Sequence, residues 1–169
     1  ISPAKLDVRK VQTQLLNAGG YLLPYLDVPI NHPRFKAYQR IGATGILKGT
    51  GMNVGWENQT WFFPEKELTQ SDLDHALSVM LGFDKISPPV SLRNNDILLW
   101  LINLHSSISP NKLPPDWIKK IKSVSEFLGV ELAPMANISR GNFAVLLDEI
   151  IDPFNRQPID LYGKYIVSQ

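Results

Sequence analysis

Leu68-Thr69-Gln70-Ser71-Asp72-Leu73-Asp74-His75-Ala76-Leu77-Ser78-Val79-Met80-Leu81 is the stretch from which the rest of this 169-residue chain is read. Thr69 is a residue that caps helices, and Asp72 stands three places on, as a capping box requires. Leu73, Ala76, Leu77, Met80 and Leu81 then recur at i, i+3, i+4, i+7 and i+8, a stripe that a helix gathers onto one face. Leu68, just before the cap, has the place of a hydrophobic staple. The spacing predicts an amphipathic helix with a defined start.

The same arrangement returns 70 residues later. With Ser139 set against Thr69, the residues Phe143, Leu146, Leu147, Ile150 and Ile151 fall opposite the five apolar residues of the first stripe, and Ile138 falls opposite Leu68. Chance similarity of two amphipathic helices is the plain alternative. Each start is preceded at a distance by another capped helix, so two helix-loop-helix units are the simplest organisation. Val90-Ser91 reads as a third, eroded copy of the start, with Asn95 where the first core residue belongs.

Four more helices complete the outline. Ser2-Pro3 opens one, with Val8, Val11 and Leu15 at helical spacing and Gly19-Gly20 as its stop. Asn31 caps the next, which has Pro33 in its first turn, Phe35, Tyr38 and Ile41 on one face, and an end near Thr44. Ile97 to Ile102 is apolar all round, which places a helix over about 94–105 at the centre of the core. Pro114-Pro115 starts a helix that turns Trp117, Ile121, Val124 and Leu128 inward and ends at Gly129. Between Gly45 and Leu68 the pattern breaks. Trp56, Trp61 and Phe62-Phe63-Pro64 lie there, and so many rings require an ordered loop, with room for a short hairpin, folded onto the helices. The expected class is all-α, a helical bundle with one long ordered loop.

Composition limits the function. The chain is 44% hydrophobic, and its 17 Lys+Arg against 16 Asp+Glu leave a net charge of +1, which provides no field for nucleic acid or an anionic membrane. Cysteine is absent, so thiol nucleophiles, thiolate metal sites and disulfides are excluded. The apolar run Ile97–Ile102 is far shorter than the roughly 18 residues that span a bilayer, so no membrane insertion is expected. A start at Ile1, without a leader, suggests a piece of a longer polypeptide.

Tyr25-Leu26-Asp27-Val28-Pro29, His32, Phe35, Ala37, Gly45-Ile46-Leu47, Gly49, Phe62-Phe63-Pro64 and Leu68-Thr69 together resemble one S-layer homology repeat. Ile138-Ser139-Arg140-Gly141-Asn142-Phe143 resembles that repeat's threonine-arginine-alanine-glutamate signature. The resemblance implies helix-loop-helix units over 21–83 and, in degenerate form, 84–152, with a tail over 153–169. It also implies a carbohydrate-gripping arginine. That residue is present only as Arg140, since Gln70 and Leu92 stand at the other two starts. Residues 2–20, and Ile41-Gly42-Ala43-Thr44-Gly45 continuing to Asn58-Gln59-Thr60-Trp61-Phe62, resemble the end of a family of bacterial flavin-dependent oxidoreductases and the region that follows it. By that resemblance residues 1–20 close an upstream flavoenzyme domain, FAD belongs to that domain and not to this chain, and the parent is exported to the periplasm or cell surface. The partners then expected are the chain's own upstream oxidoreductase domain and cell-wall or other polysaccharide.

Independent catalysis has little to draw on. In Gly49-Thr50-Gly51-Met52-Asn53-Val54-Gly55 the third glycine is one place too late for a dinucleotide fingerprint, and the run follows a helix. His32, His75 and His105 have no ligand spacing, and capping or surface roles explain them better than a metal. Glu65/Glu67, Asp72/Asp74 and Asp148/Glu149 are near neighbours, as solvation and helix dipoles favour, rather than a glycosidase pair on separate elements. One constellation remains: Trp56 and Trp61 as stacking faces for sugar rings, Asn58 and Gln59 as amide partners for hydroxyls, and Arg140 as a further contact. The alternative is that both indoles anchor the loop.

Overall fold

A computed structural model describes residues 6–54, 57–80, 87–109 and 116–166. In chain order the elements are α1 (Val8–Asn17), α2 (Phe35–Thr44), β1 (Thr50–Val54), β2 (Glu57–Trp61), α3 (Gln70–Val79), α4 (Asn94–Ile108), α5 (Asp116–Lys120), α6 (Val124–Leu128), α7 (Arg140–Leu146), a π-helical turn (Leu147–Ile151) that continues α7, and α8 (Pro153–Arg156). The fold is mainly helical but not purely all-α. The ring-bearing loop contains a two-stranded antiparallel ribbon in which Thr50 pairs with Trp61 and Val54 with Glu57. Leu26 donates its N–H to the Thr60 carbonyl at 3.0 Å, which ties the preceding loop to the ribbon.

The start at Thr69 forms as its residues dictate. Its hydroxyl accepts the Asp72 N–H at 3.0 Å, and the Asp72 carboxylate accepts the Thr69 N–H at 3.1 Å. Ser139 accepts the Asn142 N–H in the same way at 3.0 Å. Leu68 and Ile138 are buried, as are Leu73, Ala76 and Met80 in one helix and Phe143, Leu146, Leu147, Ile150 and Ile151 in the other. Leu81 lies outside the described residues.

A third helix start is present, two residues later than Val90-Ser91. Val90 is 91% exposed, and α4 begins after Arg93, with Asp96 in the place of Asp72 and Asn142. In that register Ile97, Trp100, Leu101 and Leu104, all buried, match Leu73, Ala76, Leu77 and Met80. The three starts lie side by side. Leu68 donates to the Ile138 carbonyl at 2.9 Å, and Ile138 donates to the Leu92 carbonyl at 2.8 Å. Backbone groups that would otherwise be unpaired at buried helix starts satisfy one another.

Other expectations change. In α1 the exposed residues include Val11 and Leu15, and the buried ones are Leu16 and Arg9. Arg9 lies 4.9 Å from the centre of the Phe154 ring and donates to the Gln157 and Ala43 carbonyls, so its stem and guanidinium replace an apolar contact. α1 is therefore built into the core. The helix expected to reach Gly129 is broken, because the Ser123 hydroxyl accepts the Glu126 N–H and starts α6 afresh. Trp117 is 41% exposed rather than inward and stacks on Phe127. The starts at Ser2-Pro3 and Pro114-Pro115 lie outside the described residues.

Gly141 shows how closely α7 meets the ribbon's end. A Cβ there would lie 3.0 Å from the Pro64 carbonyl oxygen and 2.9 Å from the Pro64 Cβ, and Gly141 also donates to that carbonyl at 2.8 Å. Gly141→Ala is expected to destabilise the fold by about 2 kcal/mol through overpacking. Gly51→Ala, with open space at its Cβ, is expected to change stability by less than about 0.5 kcal/mol. Urea unfolding of the two variants checks the difference.

Candidate functional site

Of the residues singled out for binding, Arg140 meets Phe62, which is fully buried. Tyr25 and Tyr38 pack on it with ring centres 5.1 and 4.9 Å away. The Asp27 carboxylate accepts the N–H groups of Phe62 and Phe63 at 2.9 and 2.7 Å. This clamp holds the ribbon's exit, where Phe63 has φ of 56°, a left-handed conformation that bulky residues avoid. Asp27→Ala leaves both N–H groups without that acceptor and is expected to cost about 2 kcal/mol. Asp27→Asn keeps one acceptor oxygen and is expected to lose about half as much, again read by urea unfolding.

Arg140 enters this cluster from the first turn of α7. Its Nε donates to the Phe62 carbonyl at 3.1 Å, Nη2 donates to the Lys48 carbonyl at 2.7 Å, and Nη1 lies 2.9 Å from the Asp72 carboxylate. The guanidinium carbon is 5.4 Å from the centre of the Phe62 ring. With its side chain 9% exposed, the residue expected to grip carbohydrate is turned inward and joins the second helix start to the first and to the entry and exit of the ribbon, which lie at one end of it. This departs from an outward ligand contact, and the physical reason is that each nitrogen of the fork already meets an acceptor of the chain.

Trp61 is half-buried and stacks on Phe63 with ring centres 6.0 Å apart, while the Lys66 ammonium lies 3.9 Å from the Phe63 ring centre. Its Nε1 is buried without a hydrogen-bond partner among the described residues. Gln59 is half-buried and pairs across the ribbon with Met52. Asn58 pairs with Asn53 in the register, and Trp56 lies outside the described residues. The structure thus brings Trp61 together with Phe63 and Lys66, and Arg140 with Phe62. It does not join Arg140 to a common open surface with Gln59.

The ionisable groups take structural positions. His32 Nδ1 accepts the Arg34 N–H at 3.0 Å, and His75 Nε2 donates to the Gly45 carbonyl at 2.8 Å. His105 is neither a cap nor a surface residue. It is buried in α4, and burial beside Arg156 pushes its pKa down. Among the described residues no group of histidines and carboxylates is arranged to hold a metal ion. Asp148, expected at a solvated face, is instead buried and receives Nε and Nη2 of Arg40 at 2.9 and 2.6 Å. Burial raises its pKa, against the opposing hydrogen bond from Arg40. A carboxylate set inside the apolar run Leu146-Leu147-Asp148-Glu149-Ile150-Ile151 was the sequence signal for this pair. No described helix is long and apolar enough to cross a membrane.

Comparison of the chain with protein-family models, with curated proteins and with solved structures finds no match in any of the three.

Proposed function

We propose that this chain is a non-catalytic accessory domain of a flavin-dependent oxidoreductase, which packs on the catalytic domain as a scaffold or as part of its substrate entrance. The observation that carries this reading is the inward direction of Arg140. The one side chain that an envelope-anchoring module would use on glycan serves instead to lock the two units together. A second observation supports a protein partner. Tyr21, Leu26 and Ile30 are 55%, 53% and 54% exposed and border one shallow cavity of about 240 Å³ with Leu23, Pro24 and Phe35. Their segment directly follows the residues that resemble the end of the oxidoreductase domain. Large apolar side chains left open together mark contact surfaces.

The test is turnover of the parent enzyme with Leu26→Glu and Ile30→Glu combined. The expected result is a loss of at least tenfold in kcat/KM, with the melting temperature of this domain unchanged. Full-rate turnover by a parent that lacks the domain overturns the reading. Carbohydrate binding is the second reading, and the half-buried Trp61–Phe63 stack favours it. In that case Trp61→Ala abolishes retention on purified cell-wall polysaccharide, whereas Leu26→Glu does not.

A further inference from the structure

Residues of α1, α2 and the π-helical turn line a trough. Two cavities, of about 450 and 280 Å³, share Leu16, Asn17, Arg40 and Glu149 in their walls and so adjoin. The trough's ends carry opposite charge. Arg34 and Lys36 stand at the α2 end, and Asp152 stands with Asn155 and Thr13 at the other. Between them the Arg40–Asp148 pair forms a fixed crossing, with the Asp148 side chain only 3% exposed.

Apart from Arg40 and Asp148, the charges bordering this trough are not matched to each other. Among the described residues the only ion pairs are Arg40–Asp148 and Arg140–Asp72. Lys36 and Glu149 border the same cavity, yet they form no pair, and the Lys36 ammonium reaches only the Asn17 amide oxygen, at 3.3 Å. Arg34, at the start of α2, donates to the Asn142 amide and not to a carboxylate. A groove with opposite charges held apart suits a guest that carries both charges several bonds apart. An elongated dianion would meet Glu149 and Asp152, and an elongated dication would meet Arg34 and Lys36, like charge against like in each case.

We propose that this trough binds an elongated zwitterion, with a carboxylate at Arg34 and Lys36 and an ammonium at Glu149 and Asp152. Its chemistry is that of an ω-amino acid or of a short peptide bearing one acidic and one basic side chain. Such binding does not rest on the accessory role proposed above, although Ile30 and Phe35 border both surfaces.

Amide chemical-shift titration of the chain tests the proposal with two zwitterionic probes, 6-aminohexanoate and terminally blocked glutamyl-glycyl-lysine, and two single-charge controls, hexanoate and hexylamine. At least one zwitterion is expected to bind at least tenfold more tightly than either control, with shifts at Lys36, Ala37, Arg40 and Glu149. Whichever zwitterion binds more tightly identifies the source as small molecule or peptide. Lys36→Met and Glu149→Gln, both on exposed side chains, are each expected to weaken that binding about tenfold without changing the melting temperature. Binding of hexanoate as tight as that of 6-aminohexanoate, shifts outside the trough, or no saturable shift with either zwitterion at millimolar concentration overturns the proposal.

Discussion

Arg140→Ala is expected to lower the free energy of unfolding by about 3 kcal/mol, measured by urea denaturation at pH 7. The substitution leaves the carbonyls of Phe62 and Lys48 without their charged donor, the first in a buried hydrogen bond and the second in a partly buried one that water can partly replace. Each orphaned buried acceptor costs about 1–3 kcal/mol. It also leaves Asp72 unpaired, at a smaller cost because that side chain is 25% exposed and water can reach it. Arg140→Lys keeps the charge but not the planar fork, so one ammonium cannot reach all three acceptors. It is expected to recover less than half of the loss. If Arg140 instead acted mainly on an external ligand, the alanine variant would fold with nearly full stability. The measurement therefore separates a structural tie from a binding contact.

What the sequence made legible is the part of the fold governed by local pattern. Thr69 with Asp72, Ser139 as a cap, and the apolar residues Leu73, Ala76, Phe143 and Leu146 behind them involve neighbours within one helical turn or one face, and they stand as the periodicity predicts. The third start was placed two residues early for an identifiable reason. Ser91 does behave like a cap, because its hydroxyl accepts the Arg93 N–H at 3.1 Å, but it closes a turn ahead of the helix rather than the helix itself. α8 and the π-helical turn went unread, because Pro153 looked like an end when it is the first residue of a new helix, and because a widened turn leaves no periodic trace.

The candidate site was less legible than the fold, and Arg140 shows why. Its position in the first turn of a capped helix follows from Ser139. Whether it faces solvent depends on Phe62 and Lys48, 78 and 92 residues away in sequence. Gln39 carries the same lesson. It is a polar residue in a helix and is fully buried, because its amide accepts the Leu22 and Leu23 N–H groups and donates to the Leu23 carbonyl. Long-range polar partners decide such positions, and no window of sequence contains both partners.

Arg40→Met and Asp148→Asn, which break the same ion pair, are expected to have very unequal effects. Asp148 is the deeply buried partner, with a side chain 3% exposed against 27% for Arg40. Removing Arg40 leaves a carboxylate away from water with its countercharge gone, and at pH 7.5 the cost is about 3 kcal/mol. Removing the charge of Asp148 leaves a guanidinium that water can still reach, together with an amide oxygen that can accept one of its bonds. That loss is expected to stay near 1 kcal/mol. The pH dependence carries the sign. The Asp148 pKa is already raised by burial, and without Arg40, whose hydrogen bond holds it down, it rises further. A carboxyl group with a folded pKa above its unfolded value of about 3.9 binds more protons in the folded state. Its penalty is therefore complete above the folded pKa and is relieved as the pH falls through that value. Arg40→Met should regain stability relative to the parent chain between pH 7.5 and pH 5, whereas Asp148→Asn, with no group to protonate there, should keep a nearly constant difference. Parallel urea titrations at the two pH values check both statements, and a pH-independent deficit for Arg40→Met would show that the pair is held by packing rather than by charge.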